Sequence, residues 1–127
     1  MNPLTLEWIE KAEGDFITTL REMRARKSPN YDASCFHAQQ MAEKYLIAFL
    51  QEKEMPIPHT HNLIELLTLC SSNDPTLAVI RTDLVRLDRY AVRFRYPGET
   101  ANKEEAKAAY QSAMAVRQLI RARLEII

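Results

Sequence analysis

The sequence predicts an all-α fold: an up-and-down four-helix bundle with one additional short helix, residues 1–127 forming a single domain. Three observations carry that prediction. Only two of the 127 residues are glycine, whereas Ala, Leu, Glu, Lys and Arg, the side chains that lose least on entering a helix, are abundant. Apolar residues recur at steps of three and four along the long segments. No segment alternates apolar and polar residues for long enough to be a convincing strand.

The elements follow in order from their caps and breaks. Asn2-Pro3 is an N-cap followed by proline at the first helical position. From there Trp8/Ile9, Ala12, Phe16, Leu20 and Met23 mark one apolar face, and the basic run RARK suits a helix C-terminus. After the turn SPNY, Asp32 or Ser34 can cap a second helix. Its apolar positions Phe36, Met41, Ala42, Tyr45, Leu46 and Phe49 cover more than one face, which puts it at the centre of a bundle or against a second subunit. MPIPHTH breaks the chain, and Thr60 can cap a short third helix containing Leu63, Leu66, Leu67 and Cys70. Asp74-Pro75 starts a fourth, with Leu77, Ile80, Leu84, Leu87, Ala91 and Phe94 inside and Pro97-Gly98 as its stop. Asn102 and Glu105 have the spacing of a capping box for a fifth, whose stripe is Ala106, Ala109, Ala113, Val116, Ile120 and Leu124.

Bulk properties narrow the function. Seventeen basic and seventeen acidic residues cancel, so the net basic charge of a general nucleic-acid binder is missing and only a local patch remains open. The beginning MNPLTLEWIEKAEGD lacks the pattern of a signal peptide, and no run approaches the ~18 apolar residues of a membrane span. Cys35 and Cys70 sit in apolar helical patterns without paired spacing and read as reduced, buried thiols of a cytoplasmic protein.

Several blocks stand in a recognisable order: Trp8, Ala12 and Asp15 on the first helix, FHAQQMAEKYLIAFL at 36–50, PHTHNLIELL at 58–67, RFRYPGE at 93–99, then EEAKAAYQSA. Together they resemble the HEPN domain family, in its branch of small stand-alone prokaryotic proteins, over essentially the whole chain. The resemblance implies an all-α bundle that forms a homodimer and pairs with a small nucleotidyltransferase, often as toxin and antitoxin. It implies no cofactor. Many relatives are metal-independent endoribonucleases whose motif is an arginine followed four to six residues later by a histidine, near the end of the fourth helix. Here His37, His59 and His61 all precede that helix, and Pro97, Gly98 and Glu99 fall where the histidine would follow Arg93. In such pairs a tyrosine near the arginines is a target for modification by the partner, which points to Tyr96 or Tyr90.

Cleaving RNA without a metal requires proton transfer, suited to imidazole, and a cation for the charged phosphorane, suited to guanidinium. Arg86, Arg89 and Arg93 share one face at helical spacing, with Arg95 directed elsewhere. These three arginines and Tyr96 are the candidate phosphate- or nucleotide-binding residues, with Tyr90 or Tyr96 available to stack a base. The plain alternative is a solvated arginine face paired with Asp83, Asp88 or Glu99. Arg93, His37 and Tyr96 are the candidate catalytic residues. His37 substitutes for the missing histidine if the second and fourth helices are neighbours, and otherwise serves as a hydrogen-bonded core histidine. Gln39, Gln40, Glu43 and Lys44 read as interhelical or intersubunit hydrogen bonds. His59-x-His61 lacks a third metal ligand and reads as a loop feeding the third helix, so no metal is expected. The sequence therefore favours a dimeric module binding a nucleotide, an RNA phosphate or a partner. The alternative is an endoribonuclease toxin with an altered site.

Overall fold

Asn2, Asn30, Asn62, Asp74 and Asn102 each turn a side-chain oxygen onto a backbone N–H just ahead, and a helix begins after each of them. In the computed structural model these are α1 (Pro3–Arg24), α2 (Tyr31–Glu52), α3 (Leu63–Asn73), a 3-10 segment (Pro75–Ile80) leading into α4 (Arg81–Arg93), and α5 (Lys103–Arg123). The structure describes residues 1–126, and Ala91 through its backbone alone; the place assigned to Ala91 in the fourth apolar stripe lies outside the described residues. The described residues contain no strand, and the fold is the expected helical bundle with one short extra helix.

Three local expectations are corrected. The second helix is capped by Asn30 rather than Asp32 or Ser34, because Asn30 Oδ1 accepts from Ala33 N–H. Asp32 instead receives the Ala101 N–H at 2.7 Å, tying the start of α2 to the approach of α5. The third is capped by Asn62; Thr60 Oγ1 accepts from Asn62 N–H one step earlier and shapes the turn before the cap. The predicted fourth helix is split, since Asp74-Pro75 starts a 3-10 segment and regular α-helix begins only at Arg81. The capping box at Asn102 and Glu105 forms as expected.

α2 is the central element and packs against all four other α-helices. Every residue from Tyr45 to Leu50 is buried, so this turn and a half touches protein on all sides. Burying each large apolar side chain there contributes roughly 1.5–3 kcal/mol, enough to make α2 the organising helix. Small residues Ala106, Ala109 and Ala113 on α5 let that helix approach closely. On α1 the buried line is Thr5, Ile9, Ala12, Asp15 and Thr19, flanked by partly buried Trp8, Phe16 and Met23. Polar groups can occupy that line because each is satisfied: Thr5 donates to Glu52, Thr19 and Ser34 exchange bonds with each other's carbonyls, and Asp15 holds His37 and Lys44. Cys35 and Cys70 are buried free thiols, and burial pushes both up to about 12. Among the described residues no helix is long and apolar enough to cross a membrane.

Candidate functional site: an arginine-lined groove on the central helix

The residues around α4 build the site. Helical backbone ends at Arg93, and the turn through Pro97 and Gly98, the latter at φ +96°, redirects the chain towards α5. This early stop decides where Arg95 goes. In a continued helix Arg95 would lie on the far side from Arg93, but the turn brings both guanidinium groups to one groove. The groove has a volume of about 880 Å³ and lies between α2, the loop before α3 and the end of α4. Phe36 and Val92 supply apolar wall, Gln39, Gln40 and Asn62 supply amides, and Arg89, Arg93 and Arg95 supply positive charge.

The three arginines differ in how they are held. Arg93 Nε donates to Glu99 at 3.1 Å and Nη1 to Glu105 at 3.1 Å; the Glu99 bond first, then the fields of both carboxylates, hold its guanidinium above its ordinary pKa. Arg89 and Arg95 have no hydrogen-bond or ion-pair partner among the described residues. Asp88, also in the lining, accepts the Leu63 N–H at 3.2 Å and so ties α4 to the first turn of α3. Its carboxyl is held above the ordinary range by burial, assisted by the charge of Glu65 and opposed by the Leu63 bond.

An imidazole completes the lining, and it belongs to His61. Two α2 residues one helical turn apart position it: Gln39 Nε2 donates to the His61 carbonyl at 3.3 Å, and Glu43 Oε1 meets His61 Nδ1 at 2.9 Å. Gln40 Nε2 in turn fixes Gln39 Oε1 at 2.7 Å. With Nδ1 bound to a carboxylate, Nε2 is left to solvent, and the side chain is 89% exposed.

The structure places the sequence-predicted residues as follows. Arg89 and Arg93 share the groove. Arg86 does not line it; Nη1 donates to Ser112 at 2.8 Å and stands 3.8 Å from Asp83. Tyr96 is 67% exposed and outside the lining, and Tyr90 is partly buried, stacked on Phe94. Within the chain His37 is not brought to Arg93, because its Nδ1 lies 2.8 Å from Asp15 Oδ1, which directs the ring towards α1. Arg95 corrects the expectation that it points elsewhere, for the helix ends before it. Among the described residues no cluster of three or more His, Cys, Asp or Glu side chains is arranged to hold a metal ion. A second, smaller cleft of about 560 Å³ carries Arg24, Arg26, Lys103 and Lys107, with no imidazole or carboxylate in its lining.

The family model of the HEPN domain matches residues 5–123. The chain belongs to the HEPN domain family. A crystal structure of an archaeal HEPN homologue matches this HEPN protein with a TM-score of 0.75 at 24% identity, over 94% of this chain and 96% of that one. At that identity the likeness speaks for the fold. No curated protein sequence matches. Sequence spacing did not reveal His61 and Arg95 as parts of this HEPN groove, nor Glu43 as the residue that positions His61. The i, i+4 spacing of Gln39 and Glu43 was a usable signal, since it puts two polar groups on one face of an otherwise apolar helix.

Proposed function

We propose that this HEPN protein binds a single-stranded ribonucleotide chain by its phosphates in the groove between α2 and α4. The observation that carries the reading is the pair of arginines, Arg89 and Arg95, that line a concave surface without a carboxylate partner among the described residues. Forked guanidinium donors match phosphate oxygens, and Phe36, 37% exposed, offers a face on which a base can stack. Gln40 Oε1 and the Asn62 amide nitrogen, which have no partner among the described residues, suit base edges or 2′-hydroxyls. A balanced overall charge agrees with one local anion site rather than general affinity for nucleic acid.

The test is fluorescence anisotropy with a short oligoribonucleotide. Arg89→Ala and Arg95→Ala are each expected to weaken binding about 5- to 10-fold, a cost of roughly 1–1.4 kcal/mol per lost phosphate contact. Arg93, already shared with Glu99 and Glu105, is expected to matter less. Log affinity is expected to fall against log salt with a slope of about −0.7 per neutralised phosphate. No binding at about 50 mM salt, or binding untouched in the Arg89→Ala/Arg95→Ala double variant, overturns the reading.

A second reading concerns assembly. Val85 and Val92, seven residues apart on α4, are exposed, and an apolar stripe of this kind suits a partner helix. We infer a homodimer through this face, acting in the cytoplasm beside a small nucleotidyltransferase. A solution mass of two chains by light scattering supports the dimer, and a monomer at all concentrations removes it.

A further inference from the structure

The second cleft, of about 560 Å³, lies where the turn between α1 and α2 meets the start of α5. Arg24, Arg26, Lys103 and Lys107 line it, so two separate segments bring four cations to one concavity. Their mutual repulsion is left standing. No carboxylate stands in the lining, and Arg24, Arg26 and Lys103 have no hydrogen-bond or ion-pair partner among the described residues. Lys107 has Glu104 at 4.0 Å, and that carboxylate is 81% exposed. Glu22 and Asp32, on the neighbouring stretches of α1 and α2, already accept the Asn30 and Ala101 N–H groups. Arg24 suits the C-terminus of α1, but Lys103 sits in the first turn of α5, the end of a helix where a cation is disfavoured. The fold draws no support from that placement, whereas a bound anion relieves it.

The cleft and the groove share their borders. Glu105, two residues after Lys103, accepts from Arg93 Nη1 at 3.1 Å. On α2, Tyr31 lines the cleft and Phe36 lines the groove, five residues and about 7.5 Å of helix axis apart. Tyr31 is partly buried, so each concavity sets one aromatic ring beside its cations. That pairing suits a nucleotide unit, with the phosphate on the cations and the base on the ring. We propose that the cleft is a second phosphate subsite for the same RNA strand, which leaves the groove between α2 and α4 and crosses the start of α5. The inference rests on the ribonucleotide-binding reading above and extends it to residues outside that groove. Arg93 has a part in the crossing, because it neutralises Glu99 and Glu105, two carboxylates at the α4–α5 connection.

The experiment uses the full chain and fluorescence anisotropy with labelled single-stranded RNAs of about 4 and about 12 nucleotides, lengths within the range one small domain covers. The short strand fills the groove, and the long strand reaches the cleft as well. A longer strand also offers more registers, which raises affinity without changing its salt dependence, so the slope of log affinity against log salt is the deciding readout. For the long strand it is expected to be steeper by about 1.4, from about 0.7 for each of two added phosphates. Arg26→Ala/Lys103→Ala is expected to weaken the long strand at least about 10-fold at about 50 mM salt and to return its slope to that of the short strand. The short strand is expected to change less than about twofold. Both side chains are exposed and unpartnered, so the variant keeps its fold. Lys11→Ala/Arg81→Ala removes the same charge from exposed positions outside both linings and is expected to leave both strands within about twofold. Equal slopes for the two strands, a long strand bound by Arg26→Ala/Lys103→Ala as tightly as by the native protein, or an equal loss in the control pair overturns this inference. The groove reading then stands if the short strand still depends on Arg89 and Arg95. No binding of either strand overturns both.

Discussion

His37 and His61 invite direct comparison because each presents Nδ1 to a buried carboxylate, at 2.8 Å to Asp15 and 2.9 Å to Glu43. On the α1 side the charges close on themselves. Asp15 also takes Lys44 Nζ at 2.6 Å, and His37 is only 32% exposed. Nearby, Glu13 accepts two bonds from Arg117 and one from the Tyr45 hydroxyl, which Arg121 also reaches. On the α4 side the charges close less fully: Arg93 is shared with Glu99 and Glu105, but Glu43 has an exposed imidazole as its partner, and Arg89 and Arg95 have no carboxylate partner among the described residues. Charges paired inside the chain hold helices together, whereas charges left unpaired beside a concavity await a ligand. The two histidines share a hydrogen-bond pattern and differ in what surrounds it.

The sharpest way to break this contrast is to remove one member from each side. Asp15→Ala strips the carboxylate from two cationic or polar partners in a region of low exposure and is expected to destabilise the fold by about 2–3 kcal/mol. His61→Ala removes an exposed ring that water can partly replace but leaves the buried Glu43 carboxylate without its imidazole, and is expected to cost less, about 1 kcal/mol. Urea unfolding of both variants checks the pair. Equal losses would mean that the His61–Glu43 contact is as structural as its counterpart.

A second contrast is in acid. Burial tends to raise the Glu13 carboxyl, but the bonds from Arg117 and Tyr45 and the charges of Arg117 and Arg121 outweigh it and hold the group below its ordinary value. As pH falls, the unfolded chain therefore takes up this proton before the folded one. The stabilisation is whole above about pH 4.5 and disappears as pH drops through the lower folded value. Glu13→Gln is expected to be less stable at neutral pH and to show a flatter loss on the acid limb. An acid limb unchanged in the variant would remove Glu13 from the set of groups that close the α1 side.

Much of this was legible from local chemistry. The apolar stripes of α3, α4 and α5, the Asn2 and Asn102 caps and the Pro97-Gly98 stop all follow from side-chain spacing and backbone preference. The site was only half legible. Arg89 and Arg93 share a helix face, so spacing finds them; Arg86 does too, but Ser112 on α5 draws it away, a tertiary fact. Arg95 depends on where α4 stops. His61 depends on the loop before α3 folding back across Gln39 and Glu43, which nothing in the HTH tripeptide announces. His37, embedded in the most family-like block, drew attention that belongs to its neighbours on the opposite face of α2. Buried polar residues were the least predictable: Asp15 and Thr19 lie where an apolar stripe was expected, because partners on α2 satisfy them.

The smallest expected effect has the opposite sign to that of Glu13 and tests the same contrast from the groove side. Asp88 is held above its ordinary value by burial, with Glu65 adding to the shift and the Leu63 N–H opposing it. Here the folded chain takes up the proton first as pH falls. The favourable contribution is whole below about pH 3.8 and is lost as pH rises through the higher folded value, so at neutral pH the charge is a mild burden on the fold. Asp88→Asn removes that charge but keeps an oxygen able to accept from Leu63 N–H. It is expected to leave stability at pH 7 unchanged or raised by at most about 0.5 kcal/mol, as chemical unfolding would read. It is also expected to tighten RNA binding slightly, by removing the one carboxylate among the described residues of the groove lining. A clear loss of stability in Asp88→Asn would mean that the negative charge itself holds the start of α3. The groove side would then be built from paired charges like the α1 side, and the contrast between the two would fail.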